Sequence, residues 1–145
     1  MTKYVIPNKL PKNAYIDEHD GKIIFNKYVI LKKEDEIKIE KGSNLTILPN
    51  VKFDVKSIKN YGYIENAGDI YIDTLKNYGK INNVDVMIIG EKIINYKLIE
   101  NYCFLYLLKA NEIVNKSKIN NYSYIGGLIL YDESIFKGNL VNEFV

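Results

Sequence analysis

The stretch that decides the fold runs from residue 58 to residue 70 and reads Ile58-Lys-Asn60-Tyr-Gly62-Tyr-Ile64-Glu-Asn66-Ala-Gly68-Asp-Ile70. The stretch contains a six-residue unit, Ile-x-Asn-x-Gly-x, twice in succession. In this unit every second position is fixed and the positions between them vary. Alternation at period 2 places the Ile, Asn and Gly side chains on one side of an extended chain and the intervening side chains on the other. The stretch therefore predicts β-strands, and the abundance of β-branched Ile disfavours helix.

The same pattern returns along the chain. After Ile58 it begins again at Leu75, Ile93 and Ile113, which are spacings of 17, 18 and 20 residues. A degraded fifth copy is expected in the register Ile135, Lys137, Asn139, Val141, Glu143. Copies of nearly constant length can lie on one another with like residues about 4.8 Å apart. This predicts an all-β protein, a short parallel β-helix (β-solenoid) with three sides and coils of about 17–20 residues.

Each of the four copies carries asparagine at two positions, one in each of its two six-residue units. A buried asparagine can satisfy its amide by bonding the asparagine above and below it, which predicts two amide ladders through the core. Glycine or another small residue follows, where the chain must turn or approach another backbone closely. The first ladder is predicted to contain Asn60, Asn77, Asn95 and Asn115, and the second Asn66, Asn83, Asn101 and Asn121.

An antiparallel β-sandwich is the alternative fold. Sandwiches need a hairpin signal at each reversal, and the repeats contain no Asn-Gly or Asp-Gly pair; the one such pair is Asp20-Gly21. A sandwich also has no reason to carry asparagine at matched positions of successive strands. The solenoid is therefore the preferred prediction.

At these residues the sequence resembles known proteins. Residues 58–70 look like the repeats of parallel β-helix surface proteins, including filamentous-haemagglutinin-like adhesins and viral fibre or spike modules. The segment 36–51, Glu36-Ile-Lys-Ile-Glu-Lys-Gly42-Ser-Asn-Leu-Thr-Ile47-Leu-Pro-Asn-Val51, is similar to the first coil of such proteins. The resemblance covers residues 36–127 and implies an architecture, while function transfers poorly between solenoids.

The chain is expected to form a single domain with three parts. Residues 1–35 do not follow the unit and are assigned as a lead-in and cap, or an imperfect first coil. Residues 36–127 form the solenoid, and residues 128–145 form a C-terminal coil or tail that docks on something, because it ends on Phe144-Val145.

The sequence contains no catalytic or metal-binding signature. His19 is the single histidine and Cys103 the single cysteine, so no zinc motif exists and no cofactor is expected. The 20 basic residues are all lysines, spread among 18 acidic ones, so no nucleic-acid footprint appears. A carbohydrate-active enzyme would need clustered carboxylates, for which Asp69, Asp73 and Asp85 are the candidates. Neither a signal peptide nor a membrane span is visible, which leads us to expect a virion or cytoplasmic location.

The outward positions change character along the repeats. In the later copies they become apolar, and residues apolar on both faces of a strand indicate burial on both faces. Either the C-terminal segment or another subunit must then cover the outer face. The predicted interface comprises Val84, Val86, Tyr102, Phe104, Tyr106, Tyr122 and Tyr124.

These features predict a non-enzymatic structural or assembly protein, in particular a virion component of a virus with an AT-rich genome, which oligomerises or joins other subunits. A carbohydrate- or receptor-binding adhesin module is the first alternative, because tyrosine rings can stack on sugars. Tyr61, Tyr78 and Tyr96 share one position and should stack into an aromatic ladder. A carbohydrate-active enzyme on a β-helix is the second alternative.

Overall fold

The computed structural model describes residues 1–102, 104–107, 112–122, 136–137 and 140–142. For residues 104–107, 112–113, 121, 136–137 and 140–142 it describes the backbone and not the side chains. Within these ranges the chain forms strands and turns and no helix. The sixteen strands are β1 (Lys3–Ile6), β2 (Tyr15–Ile16), β3 (Ile23–Phe25), β4 (Glu36–Ile39), β5 (Asn44–Ile47), β6 (Lys52–Asn60), β7 (Tyr63–Asn66), β8 (Asp69–Asn77), β9 (Lys80–Asn83), β10 (Val86–Asn95), β11 (Leu98–Asn101), β12 (Phe104–Leu107), β13 (Glu112–Asn115), β14 (Lys118–Asn121), β15 (Phe136–Lys137) and β16 (Leu140–Asn142).

The strands pair in parallel from coil to coil and form two sheets. The first runs in the order β1-β4-β6-β8-β10-β13-β15, with β12 also paired to β10, and the second in the order β16-β14-β11-β9-β7-β5-β3-β2. The long strands β6, β8 and β10 each contribute two segments to the first sheet, since β4 pairs with only the second half of β6 and β12 with only the first half of β10. Each central coil therefore has three paired segments. This confirms the predicted β-solenoid and does not favour the antiparallel sandwich.

We name the three columns of paired segments by their residues. The first stack contains residues 57–60, 74–77 and 92–95, preceded by β1 and β4 and followed by β13 and β15. The second stack contains β3, β5, β7, β9, β11, β14 and β16. The third stack contains residues 52–55, 69–72, 86–89 and 104–107.

The passage from the third stack to the first breaks the inward–outward alternation. In β8, Ile70 and Ile72 are buried, the next two residues are half-buried, and Leu75 is buried again. The step from Ile72 to Leu75 is three residues, which gives the central coil its odd length of 17. In β10 the corresponding step, from Ile89 to Ile93, is four residues, because Gly90 and Glu91 stand where β8 has Asp73 alone, and the register shifts there. The extra residue lengthens that coil to 18.

The core is a column of aliphatic side chains inside the coils. Ile58, Leu75 and Ile93 are neighbours in the first stack, and Ile64, Ile81 and Ile99 are neighbours in the second. All six are at most 1% exposed. Fully burying an aliphatic side chain of this size contributes about 1.5–3 kcal/mol, so stacked isoleucines dominate the stability of the coils.

The N-terminal residues continue the solenoid before the repeats begin. β1 pairs in parallel with β4 in the first stack, and β3 with β5 in the second. β2 pairs antiparallel with β3 and occupies the end of the second sheet. This antiparallel strand covers the edge of β3, which would otherwise expose unpaired backbone groups.

The expected register of the fifth copy was wrong by one residue. Phe136, rather than Ile135, pairs with Ile113, and Leu140 and Asn142 pair with Ile119 and Asn121. The step from Ile113 to Phe136 is 23 residues, longer than the steps of 17, 18 and 20 residues between the four preceding copies, so the fifth copy does not continue their spacing. A shift of one residue exchanges the two faces of a strand.

Candidate interaction surfaces

The two asparagine ladders are confirmed where side chains are described. In the first, the Nδ2 atoms of Asn60, Asn77 and Asn95 each donate to Oδ1 of the next member at 2.9 Å, ending on Asn115. In the second, Asn66 donates to Asn83 at 2.9 Å and Asn83 to Asn101 at 2.8 Å. The backbone of Asn121 pairs with that of Asn101, but its side chain lies outside the described residues.

Six of the ladder asparagines also bond to the corner that follows them, namely Asn60, Asn66, Asn77, Asn83, Asn95 and Asn115. Asn77 Oδ1 accepts from Gly79 N at 3.2 Å, and its Nδ2 donates to the carbonyls of Gly79 and Leu98, each at 2.9 Å. The side chain thus replaces the backbone partners that the chain loses where it turns. Buried polar groups that are satisfied in this way specify one register, because a shifted coil would leave amides unpaired. The ladders are structural and face the interior.

The aromatic ladder is confirmed on the outer surface. The rings of Tyr61, Tyr78 and Tyr96 stack with centroids 4.6 Å apart and interplanar angles of 2° and 6°. We call this set the tyrosine column. Both faces of Tyr78 are covered by its neighbours, so a sugar could stack on this ring only if the column separated. The column presents ring edges and hydroxyl groups to the solvent.

A second stacked pair lies at the next corner. The rings of Tyr102 and Tyr122 are 4.9 Å apart at 15°, and the Tyr102 hydroxyl donates to Glu100 Oε2 at 2.7 Å. Glu100 also pairs with Lys80 at 3.4 Å. The hydrogen bond to Glu100, with burial and the negative charge of Glu100, raises the pKa of Tyr102 to about 12.

Two more tyrosines are shifted in the same direction. Burial, followed by the charge of Asp73, raises the pKa of Tyr71, and burial, followed by Tyr96, raises that of Tyr78. A phenol whose pKa is higher in the folded chain stabilises the fold fully below the unfolded value of about 10 and loses that contribution as the pH rises through the folded value. We therefore expect the melting temperature to fall between about pH 10 and about pH 12.

Thermal unfolding of Tyr102→Phe, followed by circular dichroism, checks the part due to Tyr102. The variant keeps the stacked ring but removes the phenol, so its melting temperature should fall less steeply over the same pH range. Tyr28→Phe is the matched control, because it removes a phenol that is 62% exposed at the N-terminal end. Identical pH profiles for the two variants would contradict the role assigned to Tyr102.

The outer side of the third stack changes from charged to apolar along the axis. Lys52, Asp69 and Val86 occupy one outward column in register, and the backbone of Phe104 pairs next to Val86. A second outward column contains Asp54, Tyr71 and Ile88, and the backbone of Tyr106 pairs next to Ile88. We call the apolar part of this surface, with the adjoining corner, the apolar strip; its described side chains are Val84, Val86, Ile88, Tyr102 and Tyr122.

The predicted interface residues fall mostly on this strip. Val84 is 44% exposed and Tyr102 is 48% exposed, while Val86 and Tyr122 are half-buried. The backbones of Phe104 and Tyr106 pair with those of Val86 and Ile88, but their side chains lie outside the described residues. Tyr124 lies outside them entirely.

Neither the single histidine nor the carboxylates of the described residues form a metal-binding cluster. His19 is exposed in a turn, where its backbone N–H donates to Asp17 Oδ1 at 2.9 Å. In the described part of the chain, no three His, Cys, Asp or Glu side chains are placed to hold a metal ion. That part also contains no helix with the length and hydropathy to cross a bilayer. Cys103 lies outside it.

No protein-family model, curated protein or solved structure matches this chain. These comparisons therefore assign no function to the chain.

One surface feature escaped the sequence reasoning. Lys38, Lys59 and Lys76 are adjacent in the first stack and form a column beside the tyrosines. The sequence does contain a sign of this column, since Lys59 and Lys76 hold the same position in two successive copies of the repeat. The alternation that predicts the fold is carried by the inward positions, so it does not reveal a column on the outer face.

Proposed function

We propose that this protein is a structural subunit, without catalytic activity of its own, that associates with copies of itself through the apolar strip. The change within the two outward columns of the third stack carries the proposal. The same positions bear Lys52 and Asp54 in one coil and Val86 and Ile88 two coils later. Solvent exposure does not favour a change from charged to apolar side chains, whereas burial against another chain does.

The size of the strip is adequate for association. Five described side chains over successive coils would form a patch near the upper end of what soluble monomers expose, about 300–600 Å². At about 25 cal/mol per Å², burial of about 400 Å² contributes on the order of 10 kcal/mol before the costs of association. Symmetric homo-oligomers are the commonest assemblies of soluble proteins, which favours a second copy as the partner. A virion built from repeated subunits is the setting we favour.

A pair of surface substitutions tests this proposal. Val86→Asp should fold, because Asp69 occupies the equivalent position one coil earlier. Val84→Asp changes a side chain that is already 44% exposed. We expect the double variant to elute as a monomer in size-exclusion chromatography with light scattering, under conditions where the unmodified chain is oligomeric, because a buried unpaired carboxylate is costly.

Lys52→Asp is the control, since it places the same side chain in the charged part of the same outer face. It should leave the oligomer unchanged, and circular dichroism should show all three chains to be folded. An oligomer that persists in the double variant, or one that is lost equally in the control, would contradict the assignment of the strip.

A further inference from the structure

The outer side of the first stack carries a groove unrelated to the apolar strip. Two adjoining depressions of about 200 and about 340 Å³ lie there. Both are lined by Glu36, Ser57 and Lys59, so they form one groove across neighbouring coils. We call this the lysine groove. The first depression reaches Lys38 and the second reaches Lys76.

The lysine column in this groove has an electrostatic cost. Lys38, Lys59 and Lys76 are direct neighbours in the parallel register, at a strand spacing of about 4.8 Å. Like charges directly opposite each other destabilise a sheet. The column ends at Val5 on one side and Ile94 on the other, so no carboxylate lies in line with it.

Neutralisation of the column by the chain itself is incomplete. Lys38 pairs with Glu40 at 3.7 Å, whereas neither Lys59 nor Lys76 has a carboxylate within 4.0 Å among the described residues. Glu36 lies in the groove but is engaged by Lys3 at 3.8 Å and accepts from the Ser57 hydroxyl at 3.2 Å. Two ammonium groups thus remain available to an anionic ligand.

The tyrosine column borders this groove and supplies neutral donors. Lys38 Nζ lies 5.4 Å from the centroid of the Tyr61 ring, so the two columns are in contact. The Tyr78 hydroxyl is protonated at neutral pH, because a phenol ionises only at about pH 10 and burial raises the pKa of Tyr78 further. Phenol and ammonium groups therefore recur together from coil to coil along the axis.

The chemistry of the groove selects among polyanions. Single-stranded nucleic acids bind by stacking their bases on aromatic faces, but both faces of Tyr78 are already covered. The groove also contains acceptors, the carboxylates of Asp73 and Glu91 and the hydroxyl of Thr74. These acceptors can take hydrogen bonds from sugar hydroxyls, which the backbone of single-stranded DNA lacks. A polymer that carries both acidic groups and hydroxyls fits this mixture best.

We propose that the lysine groove binds a linear acidic polysaccharide lying along the solenoid axis. Lys59 and Lys76 contact its carboxylate or sulfate groups, while Asp73, Glu91 and Thr74 accept from its hydroxyls. The lysine ammonium groups recur from coil to coil, as the acidic groups recur from sugar to sugar along such a polymer. This inference does not depend on the proposed self-association, because the two surfaces are separate.

The test compares polymers of different charge on the full chain. Binding of polygalacturonate, dextran sulfate and neutral dextran is measured by affinity electrophoresis at several salt concentrations. We expect at least one acidic polymer to bind in a salt-dependent manner and neutral dextran not to bind. The double variant Lys59→Gln/Lys76→Gln should raise the Kd at least about fivefold and flatten the salt dependence.

Lys27→Gln/Lys118→Gln is the matched control, because it removes the same charge from two exposed lysines outside the groove. It should change the Kd less than about twofold. The proposal is overturned if neither acidic polymer binds, if neutral dextran binds equally, or if both double variants weaken binding to the same extent. Displacement of the polysaccharide by oligothymidylate at equal charge concentration would overturn the choice of polymer.

Discussion

Asn77→Leu is expected to lower the free energy of unfolding by about 3–5 kcal/mol. Asn77 is fully buried and makes five hydrogen bonds, two of them to Asn60 and Asn95 and three to the backbone of Gly79 and Leu98. Leucine is similar in size but leaves those groups without their partner, at about 1–3 kcal/mol for each group that becomes unsatisfied. Chemical denaturation followed by circular dichroism measures the change.

Asn82→Leu provides the matched control, because it makes the same substitution on an outward position five residues later. The Asn82 Oδ1 atom has no hydrogen-bond partner within the described residues. Its replacement should alter the stability by less than about 1 kcal/mol. If the two variants unfolded at the same denaturant concentration, the ladders would not be contributing as described.

Gly79→Ala should be at least as damaging. A Cβ atom on Gly79 would collide with the carbonyl oxygen of Gly62 in the coil below and would lie 3.0 Å from the carbonyl carbon of Tyr61. These are backbone atoms, which cannot move without opening the hydrogen bond from Lys80 N to Gly62 O at 3.0 Å. We expect a loss of at least about 4 kcal/mol or a chain that does not fold.

Ala67→Val is the comparison, because it also enlarges a corner residue. The next coil already carries Val84 at the equivalent position, one residue after a ladder asparagine. This variant should retain its full β-sheet signal and its denaturation midpoint. Equal midpoints for the Gly79 and Ala67 variants would show that the corners do not approach as closely as described.

The inward half of the structure could be predicted from the sequence because burial constrains it. An asparagine at a buried position needs another amide as partner, so its recurrence in each copy determined which residues stack. The two ladders and the stack of Tyr61, Tyr78 and Tyr96 followed from that register. The spacings of 17, 18 and 20 residues between copies were enough to align them.

Other features could not be predicted, for identifiable physical reasons. Near the C-terminus, Ile135 and Phe136 are both apolar, so alternation alone did not decide which of them pairs with Ile113. The step from Ile119 to Leu140 is 21 residues, which matches none of the spacings of 17, 18 and 20 residues between the earlier copies, so the repeat did not predict this pairing. The lysine groove arises on the outer face, where solvation permits almost any residue and no inward pattern marks a site.

Sedimentation velocity of the unmodified chain tests the structural-subunit account most directly. We predict a species heavier than the 16.8 kDa monomer, whose proportion rises with protein concentration. The Val84→Asp/Val86→Asp variant measured beside it should sediment as the monomer. A folded, unmodified chain that sedimented at 16.8 kDa at every concentration would contradict self-association through the apolar strip.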